Sequence, residues 1–206
     1  MRFLLVGNGT TANRGCQAIE QTTIRMLRER WPDASFTIGS ESGDLDQAVE
    51  TDSRVKHYKL SMWIRSRDST WLGCNLFKRI GFGLQFTRAW RFVAEHAPHH
   101  DVVLSLGGDL YGPAYGMSQF VHYVALGECA MHYSTPFVIW PATIGPFNAE
   151  DAIHRRVLKH IARCDSVLCR DNLSIKELKT HGIKDNLRLV ADPAFLLEPS
   201  NPGNVK

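Results

Sequence analysis

An unbroken apolar run, Phe3-Leu4-Leu5-Val6, leads straight into Gly7-Asn8-Gly9-Thr10-Thr11-Ala12-Asn13-Arg14-Gly15. No other feature of the chain constrains its fold as much. A short apolar run without polar alternation reads as a strand buried on both faces, and such strands belong to parallel sheets. The small, polar residues behind it read as a loop. Beyond them Ile19, Thr23, Met26, Leu27 and Arg30 recur at helical spacing until Pro32-Asp33 closes the pattern. A strand, a glycine-bearing loop and a helix N-terminus set backbone N–H groups and the positive end of a helix dipole where an anion can bind.

The same residues come close to a dinucleotide fingerprint, since Gly7-x-Gly9-x-x-Ala12 fits G-x-G-x-x-G/A. Two features argue against a nicotinamide cofactor. Thr10, Thr11, Asn13 and Gly15 are poor residues with which to start a helix at the second glycine. The acidic residue expected about 20 positions further on is replaced by Ser35-Phe36-Thr37-Ile38.

The strand-then-helix alternation continues. Ser35-Phe36-Thr37-Ile38 and Arg54-Val55-Lys56-His57-Tyr58 predict the second and third strands. Asp101-Val102-Val103-Leu104-Ser105, Pro136-Phe137-Val138-Ile139-Trp140, Ser166-Val167-Leu168-Cys169 and Leu187-Arg188-Leu189-Val190 predict four more. Helices are expected over 84–96, 117–132 and 149–164, and from 172 to Gly182 as a C′ residue; Gly127 is read as allowing close packing. Residues 60–83 are expected to be irregular. Alternation without internal repeats predicts an α/β fold, a doubly wound, mostly parallel, Rossmann-like sheet occupying residues 1–197. Residues 198–206, rich in Pro, Asn and Gly, read as a linker-like tail.

Composition narrows the function classes. A net charge of +3 is too small to point to nucleic acid, and no nucleic-acid-binding motif is present. The five cysteines form no CxxC pair, so neither a disulfide framework nor a zinc site is suggested, and no metal is expected. The first apolar run is too short for a signal peptide and no run is long enough to span a bilayer, so a cytoplasmic location is expected. Residues 60–92 form an aromatic and basic excursion, with Arg65, Arg67, Lys78, Arg79, Arg88 and Arg91 against Asp68 alone. The favoured reading packs its aromatics on the domain's own core. The other rests it on the inner face of an anionic membrane, or against a lipid-linked substrate.

In an open parallel sheet the loops at the strands' C-terminal ends gather along one edge, where ligands bind. Asn13, Gly107, Gly145 and Arg170 each follow a predicted strand, so they are expected to line one crevice. Each motif also has a plain structural reading. Gly107-Gly108-Asp109 suits close backbone approach to a ligand, and suits equally a tight turn whose Asp caps N–H groups. Gly145-Pro146-Phe147 reads as a stiff turn, with Gly145 alone placed near a ligand. Asp171 reads as a helix N-cap. Arg170 can grip a carboxylate or phosphate, with Asp192 as its candidate internal partner. The nine histidines lack metal-ligand spacing and are expected to be exposed or internally satisfied. Cys16 has no neighbouring histidine and is read as an uncharged pocket or packing residue.

Taken in order, these motifs resemble the polysaccharide pyruvyl transferase family. The matching residues are Asn13-Arg14-Gly15, Gly107-Gly108-Asp109-Leu110, Gly145-Pro146-Phe147, Arg170-Asp171-x-x-Ser174-x-x-x-Leu178 and Ala191-Asp192-Pro193-Ala194-Phe195-Leu196. The resemblance implies a GT-B-like enzyme of two Rossmann-like halves, of which this chain is the N-terminal one. It implies transfer of a pyruvyl group from phosphoenolpyruvate to the hydroxyls of a glycan or lipid-linked sugar acceptor, with no cofactor beyond the donor. On that resemblance the substrate-binding candidates are Asn13, Arg14, Gly15, Cys16, Gly107, Gly108, Gly145, Arg170 and Ser174, with Asp109 as the catalytic candidate. Cys16 stands where the family has an aspartate, and Asp109 where it commonly has a third glycine. Two rival readings are the N-terminal half of a nucleotide-sugar glycosyltransferase and a non-catalytic α/β binding domain.

Overall fold

A computed structural model describes residues 1–61, 69–109, 111–112 and 117–197. Seven parallel strands form one sheet: β1 (Arg2–Val6), β2 (Ser35–Ser40), β3 (Val55–Lys59), β4 (Val102–Ser105), β5 (Phe137–Ala142), β6 (Ser166–Cys169) and β7 (Leu187–Leu189). Their order is β3-β2-β1-β4-β5-β6-β7, as in doubly wound folds. β1 lies inside the sheet between β2 and β4, with Leu4 in register between Thr37 and Val103. Alternate residues of β1 feed two cores. Leu4 and Val6 join the larger one and Phe3 and Leu5 the smaller, which is why the strand is apolar throughout.

The helices are α1 (Arg14–Arg30), α2 (Gly43–Val49), α3 (Ser69–Ile80), α4 (Arg88–His96), α5 (Met117–His132), α6 (Ala152–Ile161) and α7 (Asn172–Thr180). Residues of α3 to α7 build the larger core, while α1 and a 3-10 turn at Pro193–Leu196 pack on the smaller one. The chain runs outward from β1 to β3, then returns through α3 and α4 to β4 on the other side of β1. That reversal is the topological switch point, and it places the β1 and β4 loops side by side.

Two helices depart from the sequence reading. α2 is only seven residues long, and its first residue, Gly43, packs against the Tyr58 backbone, so its order comes from tertiary contact. The 60–83 stretch, expected to be irregular, contains α3, which buries Thr70, Gly73, Cys74 and Phe77. Its glycines hid it: Gly73 weakens a helix locally, yet there it admits the carbonyl of Gly83, 2.5 Å from where a Cβ would lie. The expected helix over 84–96 divides into a 3-10 turn at Leu84–Phe86 and α4, which Thr87 caps through the Trp90 N–H. The excursion's aromatics are also split. Phe77 is buried, but Trp71, Phe82 and Phe86 are exposed. The tail at 198–206 lies outside the described residues.

Candidate functional site

The crevice is best built from Arg170, at the C-terminal end of β6. Its Nε donates to Thr143 Oγ1 at 2.9 Å and its Nη1 to Asp192 Oδ2 at 2.6 Å. Thr143 follows β5 and Asp192 follows β7, so one guanidinium ties three strand ends together. The fourth is joined by contact: a Cβ built on Gly108 would lie 2.8 Å from Arg170 Nη1. Only a glycine lets the backbone after β4 come so close to the guanidinium. Its neighbour Gly107 sits at φ 141°, a conformation that L side chains rarely adopt. The Thr143 N–H donates to the Gly108 carbonyl at 2.7 Å and holds the approach in place. Among the described residues Nε and Nη1 have internal partners and Nη2 has none.

Asp171 behind it is the N-cap of α7, accepting from the Ser174 N–H at 2.7 Å. Its other oxygen accepts from the Thr143 and Ser174 hydroxyls at 2.8 and 3.0 Å. Burial pushes the Asp171 carboxyl up, but the Ser174 N–H, the two hydroxyls and the Arg170 charge outweigh it and hold the group below its ordinary range. Ser174 is buried, and its Oγ accepts the Ile144 N–H at 2.8 Å. Its hydroxyl therefore positions the β5 loop and does not face the crevice. A Cβ on Gly145 would meet the Glu177 side chain, which takes the Phe147 N–H at 2.6 Å, and the Gly145-Pro146 bond is cis.

The β1 loop supplies the opposite wall. Asn13 caps α1 by accepting from the Gly15 N–H at 2.9 Å, Arg14 donates to Gln17, and all three residues Asn13, Arg14 and Gly15 are exposed. Four of the loop's N–H groups are taken up internally. The N–H groups of Thr11, Ala12, Asn13 and Gly15 go to Ser42 Oγ, Thr10 Oγ1, Thr10 O and Asn13 Oδ1. Cys16 joins the two walls electrostatically. Burial pushes its thiol up, the Gly9 N–H opposes this, and the Glu20 and Asp109 carboxylates add to it. Asp109 is exposed at the crevice mouth, within reach of that thiol's field. A thiol held protonated alkylates slowly. Iodoacetamide at neutral pH should therefore label Cys16 more slowly than a free cysteine does, and equal or faster labelling would overturn this assignment.

The amino-acid sequence of this crevice matches the model of the polysaccharide pyruvyl transferase family over residues 13–206. The chain belongs to that family. Among curated proteins the family member is 26% identical, over 96% of its length, to the amylovoran biosynthesis protein AmsJ of Erwinia amylovora, and it covers 49% of that protein. A UDP-N-acetylglucosamine 2-epimerase crystal structure matches with a TM-score of 0.57 at 14% identity, over 94% of this chain and 49% of the other. A UDP-N-acetylglucosamine 2-epimerase described as such from Listeria monocytogenes matches with a TM-score of 0.50 at 14% identity, over 90% and 43%. These GT-B-like structures show a shared fold and nothing further. The pyruvyl transferase family member thus spans about half the length of the relatives it matches.

Several residues that shape the family member's crevice escaped the sequence reading. Thr143 has no signal in the sequence, because a threonine after a strand carries no motif of its own. Asn8 and Glu20 lie beneath the β1 loop, both buried; Asn8 Nδ2 donates to the Cys16 carbonyl at 3.1 Å and to Glu20 Oε2 at 3.0 Å. One signal for Glu20 was available: it falls four residues after Cys16 and three before Thr23, in line with the buried stripe of α1. Burial pushes the Glu20 carboxyl up, against the Asn8 amide and His57, with Asp46 and Glu50 adding to the rise. A carboxyl with a raised folded pKa contributes stability below its unfolded pKa and loses it as pH rises through the folded value. Glu20→Gln keeps an acceptor for Asn8 without the charge. It should melt higher than wild type at pH 7.5, with the gap shrinking on acidification towards pH 5; a lower melting temperature at pH 7.5 would contradict this.

Proposed function

We propose that this chain is the N-terminal half of an enzyme that transfers a pyruvyl group from phosphoenolpyruvate to sugar hydroxyls of a polysaccharide or its precursor. The observation that carries the reading is the Arg170 fork, held against Gly108 at the C-terminal edge of the sheet in a chain of this family. Phosphoenolpyruvate presents a carboxylate and a phosphate, and a guanidinium held through Nε and Nη1 can donate to such a group from Nη2. Asp192 orients the fork, so little side-chain entropy is lost when the anion arrives.

In the proposed reaction a general acid protonates the enol methylene carbon, leaving an oxocarbenium-like centre on the neighbouring carbon. One sugar hydroxyl attacks that centre and releases its proton. A second hydroxyl then displaces inorganic phosphate and closes a ketal. Asp109, exposed beside the Arg170 cleft, is assigned to orienting the acceptor hydroxyls. The proton donor is assigned to a second Rossmann-like half. Alone, the chain then offers one wall of a donor site that stays hydrated, where charge contacts are weak.

Titration calorimetry of the purified chain separates the classes. The reading expects weak phosphoenolpyruvate binding, no turnover, and no binding of nucleotide sugars. Nucleotide-sugar binding would favour a glycosyltransferase half. Turnover by this chain alone would overturn the assignment of the proton donor.

A further inference from the structure

The exposed side of α3 and the turn after it belong to no element of the crevice just described. α3 buries Thr70, Gly73, Cys74 and Phe77, and turns Trp71, Leu72, Arg79 and Ile80 outward. The chain then folds back along the helix. Phe86 Cβ packs where a Gly73 side chain would stand, Leu76 packs against Gly83, and the Phe82 and Phe86 rings meet edge to face with centroids 6.5 Å apart. Five large apolar side chains are thereby exposed on one short stretch, Ile80 at 67% and Phe82 at 56%. Phe82 and Phe86 touch, and Ile80 lies on the same flank of α3 as Gly73 and Leu76, against which that turn packs; single exposed apolar residues are normal, but a group on one flank marks an interaction site.

This platform is rigidly held. Arg156 of α6 donates to the carbonyls of Phe77 and Lys78 at 2.6 and 2.7 Å and lies over the Phe77 ring. At the other end the Arg88 N–H donates to Thr70 Oγ1 and Arg91 to Ser69 Oγ. Arg156 satisfies carbonyls at the end of α3 that would otherwise need water. At 12 residues α3 is too short to cross a bilayer, and no helix of the described residues is long and apolar enough to do so.

We propose that this face rests on the surface of an anionic phospholipid bilayer. Its charge selects that partner. Residues 60–92 contain Arg65, Arg67, Lys78, Arg79, Arg88 and Arg91 against Asp68 alone. Arg91 stands at the Ser69 end of the helix and Arg79 at the Ile80 end, so a cation lies at each end of the apolar group. A second copy of the same face would oppose cation to cation. A layer of lipid phosphates attracts these cations while Ile80, Phe82 and Phe86 enter the headgroup and upper acyl region.

Flotation with vesicles tests this without any donor or acceptor, so its outcome is independent of the proposed transfer reaction. The chain should float with vesicles containing phosphatidylglycerol, weaken as salt rises, and stay behind with pure phosphatidylcholine. Ile80→Ser/Phe82→Ser should reduce binding by about tenfold or more, and Arg79→Glu should reduce it while leaving the melting temperature unchanged. These side chains are exposed, so folding of the variants is expected and is checked by the same melts. Absence of binding to phosphatidylglycerol vesicles, or equal binding to both lipids, would overturn the proposal. So would binding that is indifferent to both variants, or a wild-type dimer in sedimentation that Ile80→Ser/Phe82→Ser dissociates.

Discussion

Arg170→Ala is expected to abolish the weak phosphoenolpyruvate binding of this chain and to lower its stability by about 1–3 kcal/mol. Both effects come from one guanidinium. For the ligand, Arg170 Nη2 is the donor proposed to meet the anion, and a charge-assisted fork is most of what a half-open site offers. For the fold, the side chain joins Thr143 after β5 to Asp192 after β7 and fills the space beside Gly108. Removing it leaves Asp192, whose side chain is only 14% exposed, with the Ala194 N–H as its remaining partner among the described residues. Arg170→Lys separates the two roles, because an ammonium keeps the charge and loses the planar fork. Binding retained in Arg170→Ala would place the donor site elsewhere. Binding lost in Arg170→Ala and fully restored in Arg170→Lys would show that charge alone matters.

Gly127→Ala is expected to destabilise the chain by about 2 kcal/mol or more, although alanine is the better helix former by about 1 kcal/mol. A Cβ at Gly127 would lie 2.4 Å from His160 Cε1 and 2.7 Å from Phe137 Cε1. Neither ring can step aside. Phe137 is fully buried in β5, and His160 is buried with its Nδ1 3.0 Å from Glu128 Oε1, which also holds Arg163. α5 would have to lift off α6 and the sheet, loosening the core beneath the β4 and β5 loops. At about 2–4 °C per kcal/mol for a domain of this size, the melting temperature should fall by roughly 4–8 °C. An unchanged or higher melting temperature would show that the helix gain outweighs the contact.

The membrane-facing reading and the crevice reading meet different limits of what a linear sequence conveys. The sequence by itself determined the alternation of strands and helices, because strands buried on both faces must be apolar throughout and amphipathic helices must repeat near 3.6 residues. Phe3 to Val6, Val102 to Ser105 and Phe137 to Trp140 all lie in strands as read, in one parallel sheet. It also identified Asp171 as a cap, Gly127 as a close-packing point and Asp192 as the partner of Arg170. Those inferences rest on local rules, or on two residues each placed at a strand end. What only the tertiary structure decided depends on where unconnected segments come to rest. It took four of the β1 loop's N–H groups for Ser42, Thr10 and Asn13, and it buried the Ser174 hydroxyl against Ile144. It made an ordered helix of residues around Gly73 by bringing the Gly83 carbonyl up to it, and so left Trp71, Ile80 and Phe82 outward. A hydrogen bond spanning 30 residues, such as that from Ile144 to Ser174, has no periodic trace in the chain; its partners become neighbours only when the β5 and β6 ends meet at the sheet edge.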